Sequence, residues 1–420
     1  MEKLFASVIT IGDELLIGQL VDSNSAFIGQ ELNRSGITVR AKYAVADEAD
    51  EIIRILDAAS ENSQIILITG GLGPTADDIT KPVLCRYFGG NMVMHQPTLE
   101  HLTYLFEKVY NRPMIERNRK QAEVPDVCRV IKNERGTAPG MIFEKNGRLY
   151  FSMPGVPSEM KAMMPVVISE VLKRFNPPAI AHRTLLTMGI GESFLAERIS
   201  DFESALPANI KLAYLPNYGL VRLRLTGHGS DKNSLGEQID GLFNELKSQL
   251  KDVLVADEDI PIEAAVGKLL QAANETVSTA ESCTGGYIAQ LLTSVPGSSA
   301  YYIGSVISYD NRVKKELLQV NTRTIDAHGA VSEETVREMA LNATRILGTD
   351  YALAVSGIMG PSGGTAENPV GLVWIAVAHK SGTVQARAFN FRYDRRRNIE
   401  MTGATALNML RKFVLECRGK

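Results

Sequence analysis

The sequence predicts a mixed α/β protein: two three-layer α/β domains with mainly parallel sheets, joined by a small α+β middle domain. Strand-like and helix-like patterns alternate near both ends of the chain, which is typical of right-handed βαβ crossovers. The 420 residues exceed what one ordinary core accommodates. Pro177 and Pro178 interrupt the first alternating region, and the acidic segment "ADEDIP" precedes the second. We therefore expect domains over residues 1–175, 176–257 and 258–420.

The first domain alternates strands and helices from its start. Short apolar runs predict buried strands, and longer segments with apolar residues at helical spacing predict helices. The predicted strands cover residues 5–12, 37–45 and 63–71, and the predicted helices cover 24–36 and 48–62. Ligands of such parallel sheets bind beyond the carboxyl ends of the strands, so we expect a site there.

The middle segment is typical of a compact α+β unit of the KH-like type. Strands are predicted over 182–188, on both sides of an "NYG" turn, and at 252–256, and helices over 191–204 and 231–250. The segment contains no cluster of polar side chains that suggests a site. We interpret it as a scaffold.

The third segment again alternates strands and helices. Helices are predicted over 262–274, 285–295 and 332–348, and strands over 276–282, 300–310, 351–357 and 371–379. One face of the helix at 332–348 is apolar, with Val336, Met339, Ala340, Ala343 and Leu347. The two α/β ends share no sequence repeat, so we interpret them as separate domains rather than copies.

Composition narrows the classes of function. Lys and Arg total 45 against 48 Asp and Glu, and the net charge of -3 argues against direct nucleic-acid binding, which needs a basic face. The four cysteines have no CxxC spacing, which disfavours a zinc site or a disulfide framework and fits a reducing compartment. No signal-peptide pattern is present, and the apolar run "VGLVWIAVA" is too short to span a bilayer. We expect a cytoplasmic protein with no membrane partner.

A glycine-rich turn follows the third predicted strand. In "ITGGLGPTADDITK" (68–81), the glycines allow backbone N–H groups to approach a phosphate closely. Asp77 and Asp78 in this turn, and Asp13 after the first strand, carry oxygen ligands that suit Mg²⁺ at a pyrophosphate. The alternative is a tight strand-to-helix turn in which Asp78 or Thr80 lies at the helix N-terminus.

Four segments resemble the N-terminal domain of the CinA family, the competence/damage-inducible A proteins: "GDELLIGQLVDSN", "TGGLGPTADDIT", "NERGTAPG" and "MPGVPSEM". That domain is similar to molybdopterin-binding domains. The resemblance implies hydrolysis of ADP-ribose to AMP and ribose 5-phosphate with a divalent metal, Mg²⁺, Mn²⁺ or Co²⁺. The chain departs from the family pattern at Pro82, which fits the first turn of a helix and leaves both aspartates in the preceding loop. The expected residues are Gly70, Gly71, Gly73 and Thr75 for the substrate and Asp77, Asp78 and Asp13 for the metal.

Two neighbouring nucleophiles, Ser282 and Cys283, stand where a predicted strand meets the next helix. Amides at a helix N-terminus could stabilise an oxyanion, but a serine also needs a base. Lys314, in the segment after Tyr309, could serve if burial keeps it neutral. A catalytic cysteine would need a partner such as His328, and a lone cysteine is often only a small packed hydrophobe. Residue types alone leave serine, cysteine or neither open.

Two loops rich in glycine and hydroxyl groups, residues 295–302 and 356–371, could donate amides to a phosphate. Arg395, in the run "YDRRR", could clamp a phosphate or a carboxylate. The alternative for that run is a solvated charged face.

Five further segments, "AESCTGG", "PGSS", "GAVS", "SGIMGPSGG" and "PVGLVWIA", resemble the C-terminal amidase domain of the CinA family. The resemblance implies hydrolysis of nicotinamide mononucleotide to nicotinic acid mononucleotide and ammonia, without a cofactor, by a homodimer. It assigns the nucleophile to Ser282 and the base to Lys314, with Tyr309 and Ser356 assisting. The expected substrate-binding residues are Thr284, Gly285, Gly286, Ser298, Ser299, Gly360 and Arg395.

The chain departs from the amidase pattern at two positions. Asp310 replaces the usual serine, and its charge would raise the pKa of the nearby lysine and slow it as a base. Tyr393 replaces the usual glycine ahead of the Asp-Arg pair. A different class of function therefore stays open: a nucleotide- or molybdopterin-binding accessory protein in DNA uptake, with one or both sites inactive.

Overall fold

The structure, a computed structural model, describes residues 4–217 and 219–419. It is a mixed α/β protein, as the sequence predicts, and its larger described sheets have six, four and five strands. Contacts divide the chain into two compact units. The first unit comprises the chain up to residue 181 together with the separate segment 228–236. The second unit comprises residues 182–227 and the chain from residue 237 onward. The three domain boundaries drawn from the sequence stay a prediction.

The first unit contains all five elements predicted for it, within two residues at each end. Its strands are β1 (Phe5–Ile11), β2 (Thr38–Val45), β3 (Ile65–Thr69), β4 (Met92–Met94), β5 (Glu123–Pro125), β6 (Arg129–Ile131), β7 (Gly140–Lys145) and β8 (Arg148–Met153). Its helices are α1 (Asp13–Leu16), α2 (Ser23–Arg34), α3 (Ala49–Asn62), α4 (Thr80–Phe88), α5 (Gln96–Tyr104), α6 (Glu116–Arg119) and α7 (Pro157–Arg174).

The six-stranded sheet of this unit has the order β2-β1-β3-β8-β7-β6. The first four strands run parallel, while β7 and β6 are antiparallel to their neighbours. Alternate residues of β1 face opposite layers: Val8 packs with α2 and α7, and Ile9 packs with α3 and α4. A sheet covered by helices on both faces is the expected three-layer arrangement.

The middle segment forms a four-stranded sheet in the second unit. Its strands are β9 (Ala179–Met188), β10 (Ile210–Asn217), β11 (Leu220–Gly229) and β12 (Leu254–Ala256), and its helices are α8 (Glu192–Arg198), α9 (Ser200–Ser204) and α10 (Lys232–Gln249). The strand order is β10-β11-β9-β12. The predicted helix over 191–204 is two short helices that meet at Ile199. Tyr218, in the predicted "NYG" turn, lies outside the described residues.

The last segment forms a five-stranded sheet. Its strands are β13 (Val277–Glu281), β14 (Tyr302–Ile307), β15 (Tyr351–Gly357), β16 (Leu372–His379) and β17 (Val384–Asn390). Its helices are α11 (Ile262–Gln271), α12 (Tyr287–Thr293), α13 (Asn311–Glu316), α14 (Thr322–His328), α15 (Glu333–Leu347) and α16 (Arg395–Arg418).

This sheet, with the order β14-β13-β15-β16-β17, is parallel over its first three strands and antiparallel over the last two. The antiparallel half follows from its connections. No helix separates β15 from β16 or β16 from β17, and a strand that returns without a crossover helix pairs antiparallel. The parallel half positions the site described below.

No helix in the described part of the chain is long and apolar enough to cross a membrane.

Candidate functional site

A cavity of about 280 Å³ lies at the carboxyl ends of the parallel strands β14, β13 and β15. Ser282 follows β13 directly, Lys314 lies on α13 after β14, and Ser356 lies near the end of β15. Because parallel strands end at one edge of the sheet, three distant segments of sequence meet there. The cavity includes six of the residues expected from the sequence: Ser282, Tyr309, Lys314, Ser356, Gly360 and Arg395.

Lys314 contacts the nucleophile candidate directly. Its Nζ lies 3.1 Å from Ser282 Oγ and donates to the carbonyl of Ser308 at 2.7 Å. The lysine is only 1% exposed, and this burial lowers the pKa of its amine. A neutral amine can accept a proton, so the pair has the chemistry of a nucleophile and its base.

Asp310 does not prevent this effect of burial. Its carboxylate caps α13 by accepting from the Arg312 N–H at 2.8 Å, and the Arg312 guanidinium lies 3.2 Å away. The charge of Asp310 acts to raise the pKa of Lys314, yet burial is the larger cause and the net shift is downward. The expectation that Asp310 leaves the lysine a poorer base is therefore not supported.

Cys283 lies beside Ser282 and lines the same cavity. Burial raises the pKa of its thiol to about 12, so the thiol stays protonated at neutral pH, whereas the thiolate is the nucleophilic form. His328, the histidine suggested as its partner, does not line this cavity and lies 3.6 Å from Glu334. The structure therefore does not bring a Cys-His pair together here.

A buried carboxylate, Glu281, organises the loop that carries Ser282. It is 0% exposed and accepts five hydrogen bonds. The donors are the hydroxyls of Thr284 at 2.7 Å and Thr279 at 3.2 Å, and the N–H groups of Gly286 at 3.1 Å, Ile288 at 3.0 Å and Ala289 at 2.8 Å. Sequence reasoning missed Glu281, although an acidic residue ending an apolar strand just before two nucleophiles is a usable signal.

These bonds exclude the amides at the start of α12 as donors to an oxyanion. α12 begins at Tyr287 rather than near Gly285, and Glu281 occupies the amides at its start. The N–H of Gly285 donates to the Ser282 carbonyl at 3.2 Å. Among the bonds of the described residues, the amides of Cys283 and Thr284 have no acceptor. They are the loop amides left for a substrate oxygen.

The far side of the cavity carries a cation and a phenol. Arg395 donates to the Gly360 carbonyl at 2.9 Å and to the Tyr309 hydroxyl at 3.3 Å. Ser356 donates to the Ala330 carbonyl at 2.6 Å, so its hydroxyl braces the loop before α15. The hydroxyl of Tyr309 is therefore hydrogen-bonded to Arg395, and not to Ser282 or Lys314.

Several expected substrate residues do not line the cavity. They are Thr284, which instead bonds Glu281, and Gly285, Gly286, Ser298 and Ser299. Conversely, Asn311, Ser362 and Gly363 do line it. Asn311 was missed, whereas Ser362 and Gly363 belong to the loop at 356–371 that was expected to donate amides. Glycine and serine signal turns as readily as ligand contacts, which is why sequence alone could not separate the two groups.

A second cavity, of about 370 Å³, lies at the carboxyl ends of the four parallel strands of the first unit. Each strand contributes lining residues just beyond its end. They are Asp47 after β2, Gly12 and Glu14 after β1, Gly70, Gly71, Gly73, Asp77 and Asp78 after β3, and Gly155 and Glu159 after β8. Asp13 and Thr75, also expected from the sequence, do not line it.

Asp78 shapes the glycine turn of this cavity. Its two oxygens accept from the Gly73 N–H at 2.7 Å, the Thr75 N–H at 2.8 Å and the Thr75 hydroxyl. Gly71 has φ +62°, and a Cβ there would lie 2.1 Å from Thr80 Oγ1. The conformation of this turn thus depends on both the glycine and the carboxylate. α4 begins at Thr80, so both aspartates precede it, as Pro82 indicated.

Carboxylates nevertheless gather at this edge. Burial raises the pKa of Asp47, and repulsion from Asp13, Glu14 and Asp77 adds to the rise. Oxygen donors of this kind suit a hard divalent cation. However, no group of three or more Asp, Glu, His or Cys among the described residues is arranged to hold a metal ion. The metal assignment to Asp77, Asp78 and Asp13 is not supported by this geometry and stays a prediction.

Three family models match the chain. They are "Probable molybdopterin binding domain" at residues 7–174, "Damage-inducible protein CinA KH domain" at 182–256 and "CinA C-terminal domain" at 259–414. A CinA-like protein of Cytophaga hutchinsonii is 46% identical over 99% of this chain and 99% of its own length. The chain belongs to the CinA family. A CinA-like protein of Flavobacterium psychrophilum is 42% identical over 98% of this chain and 99% of its own length.

Solved structures of CinA-named proteins are also similar to part of the chain. Competence/damage-inducible protein CihA from Agrobacterium tumefaciens is 39% identical, covers 36% of this chain and 91% of its own, and has a TM-score of 0.35. In this CinA-family chain, the cavity lined by Asp47 lies within the molybdopterin-type match, and the cavity lined by Ser282 lies within the CinA C-terminal match.

Proposed function

We propose that the last domain hydrolyses the carboxamide of nicotinamide mononucleotide, giving nicotinic acid mononucleotide and ammonia. The observation that carries this proposal is the 3.1 Å contact between the buried amine of Lys314 and the hydroxyl of Ser282. A serine hydroxyl is a weak nucleophile until a neighbouring group accepts its proton. A lysine whose pKa is lowered by burial supplies that group without histidine or metal.

The reaction proceeds in two halves. Ser282 Oγ bonds to the carboxamide carbon while its proton passes to Lys314 Nζ. The ammonium then protonates the amide nitrogen, the C–N bond breaks, and ammonia leaves an ester on Ser282. Lys314 next takes a proton from water, the hydroxide attacks the ester, and the acid product leaves as Ser282 recovers its proton.

Positioning follows from the surrounding contacts. The Ser308 carbonyl accepts a hydrogen bond from Lys314, and the lone pair of the neutral amine stays available for the proton of Ser282. The amides of Cys283 and Thr284 receive the oxyanion. Arg395 and Tyr309, on the opposite side, offer a charged donor and a hydroxyl to the phosphate of the nucleotide.

The test is ammonia release from nicotinamide mononucleotide with EDTA present. We expect activity in the wild type, in Cys283→Ala and in the exposed control Ser294→Ala, and loss in Ser282→Ala. Circular dichroism should show the same melting midpoint in the serine variants. Ammonia release that is abolished by Cys283→Ala and retained in Ser282→Ala would overturn the assignment of the nucleophile, and no release from the wild type would overturn the activity.

We further propose that the first domain binds the diphosphate of a nucleotide such as ADP-ribose and hydrolyses it with a divalent cation. The supporting observation is the cavity at four strand ends, which is lined by both the glycine turn and acidic residues. When bound, the cation would supply charge neutralisation at the diphosphate. Glu14, Asp47, Asp77 and Glu159 are the carboxylates that line the cavity without closing the turn.

AMP release from ADP-ribose with Mn²⁺, compared with EDTA, tests this second activity. We expect Asp77→Asn to lower the rate at least tenfold, and Asp50→Asn, an exposed carboxylate on α3, to leave it unchanged. If ADP-ribose binds in a calorimeter and no AMP forms under any metal, the domain is a nucleotide-binding module. If neither occurs, the molybdopterin-type ligand is the remaining candidate.

A further inference from the structure

The second unit contains a cavity of about 800 Å³ that neither proposed activity uses. Five parts of the chain line it: the turn after β9, Gly219 before β11, Arg337 of α15, the edge strand β17, and one side of α16. Its volume lies within the range of about 300–1,000 Å³ that is usual for small-molecule sites. The larger apolar side chains of its lining include Met188, Ile190, Phe389, Met401 and Met409.

Packing fixes the walls of this cavity relative to each other. Met188 and Leu220 of the middle segment belong to the same buried apolar cluster as Leu407 and Leu410 of α16. Gly219, at the β10–β11 turn, approaches α16 so closely that a Cβ on it would lie 3.2 Å from the Met401 methyl carbon. The cavity is therefore built into one compact unit.

The charged side chains of the lining are mostly cationic. Arg337, Arg387 and Lys412 line the cavity together with one carboxylate, Glu416, which accepts from Gln385 at 2.7 Å. Arg337 pairs with a glutamate of its own helix at 2.7 Å. Within residues 4–217 and 219–419, no ion pair involves Arg387 or Lys412. Neither lining cation is thus neutralised by an ion pair, and Lys412 interacts with the charge of Asp252 only at longer range.

A buried cation lies next to the same wall. Arg411 is 9% exposed, and its Nε donates to the side-chain oxygen of Asn408 at 3.2 Å, a residue that lines the cavity. In the described part of the chain, Arg411 forms no ion pair with a carboxylate. A buried guanidinium is costly without a nearby negative charge, and an anion in the cavity would reduce that cost.

We infer that this cavity is a binding site for an aromatic organic anion, a molecule with a flat ring body and one phosphate, sulfonate or carboxylate group. Arg387 and Lys412 hold the anionic group, and the stacked position of the Arg387 guanidinium 5.3 Å from the Phe389 ring already aligns it over an aromatic face. Phe389, Met401 and Met409 contact the ring body, for which methionine sulfur and aromatic edges are suitable partners.

The test uses 8-anilinonaphthalene-1-sulfonate, an aromatic sulfonate whose fluorescence rises on binding, with the full-length protein. The chain has a single tryptophan, Trp374, which pairs across β16 and β17 with Ala388, next to the cavity wall. We expect saturable binding with one site per chain and energy transfer from Trp374. Neither readout depends on amidase or diphosphatase activity, so the proposed functions can fail without affecting the result.

Matched variants distinguish binding of the dye in the cavity from its non-specific adsorption to the protein surface. Lys412→Glu and Arg387→Glu should each raise the dissociation constant about tenfold or more, because each removes a charge-assisted contact. Thr405→Trp, which fills the cavity and keeps its charges, should abolish binding. Arg323→Glu, an exposed arginine on α14 away from the cavity, should bind as the wild type does.

Four results would overturn the inference. The first three are no saturable binding, equal binding in all variants, and loss of binding only where the melting midpoint also falls. Retained binding in Thr405→Trp together with loss in the charge reversals would show surface electrostatics instead of a cavity site, and would also overturn it.

Discussion

Lys314→Met is the substitution that best separates the chemistry of this protein from its stability. Methionine is close to lysine in length, is uncharged and suits a buried position. The variant removes the base of Ser282, and loss of a general base costs about 10²–10⁴-fold in kcat. Lys314 is 1% exposed and directly contacts the serine. An amine from the protein surface therefore cannot take its place without a rearrangement of the structure.

The same substitution has opposing effects on folding. The carbonyl of Ser308 loses its donor, which costs about 1 kcal/mol. In return, the folded state no longer buries an ionisable amine, and this stabilises the variant. We therefore expect the free energy of unfolding to change by no more than about 1–2 kcal/mol in either direction, while activity falls by orders of magnitude.

The pKa of Lys314 also determines how the free energy of unfolding should change with pH. Burial lowers the pKa of Lys314 in the folded state below the ordinary value of 10.5. The unfolded chain then binds the proton more tightly, so wild-type stability rises with pH between the lowered pKa and about 10.5. The methionine variant lacks this contribution, so the unfolding free energy of the wild type should rise relative to that of the variant over that window.

Urea unfolding from pH 7 to 10 and ammonia release at saturating substrate measure both quantities. If Lys314→Met retains more than a tenth of the wild-type kcat, Lys314 is not the base. If the variant is several kcal/mol less stable than the wild type at every pH, burial of the amine is not the dominant effect on stability. Lys315→Met, on the same helix and only loosely paired with Asp326 at 3.5 Å, is the matched control.

Three further predictions concern neighbouring groups. Glu281→Gln should lower the free energy of unfolding by about 1.5–3 kcal/mol and should also lower kcat, because an amide cannot accept all five hydrogen bonds. An unchanged kcat would contradict its role as a positioning residue. Arg395→Lys should raise KM about tenfold with little change in kcat, since a bidentate donor is lost; a fall in kcat alone would contradict this. Asp78→Asn should increase proteolysis of the turn at residues 70–78, and protection equal to the wild type would contradict its closing bonds.

The alternating pattern was sufficient to predict most of the fold. Short apolar runs such as β1 and β3 are typical of central strands that are buried on both faces. The helices that alternate with these strands each carry one apolar face. The split between α8 and α9 at Ile199 was not predictable from periodicity, because apolar spacing continues through it. The antiparallel half of the last sheet depends on which connections lack a helix. The segment at 356–371, which includes one of those connections, was interpreted only as a ligand loop.

The candidate site was predictable where strand ends determine it. Ser282 and Lys314 follow neighbouring parallel strands, so topology alone brings them to one edge. Glu281 was not recognised because a buried carboxylate has no periodic signal of its own. The role of Asp78 could not be settled either, since a metal ligand and a turn-closing acceptor require the same residue at the same place, and only the three bonds to its oxygens distinguish them.

The most direct test of the central claim is to trap the ester on the nucleophile. The wild type would be mixed with nicotinamide mononucleotide, quenched in acid within milliseconds, digested, and analysed by mass spectrometry. The account predicts the acyl mononucleotide on Ser282, absent in Ser282→Ala and unaffected in Cys283→Ala. An adduct on Cys283, or turnover with no adduct on either residue at any time point, would contradict it.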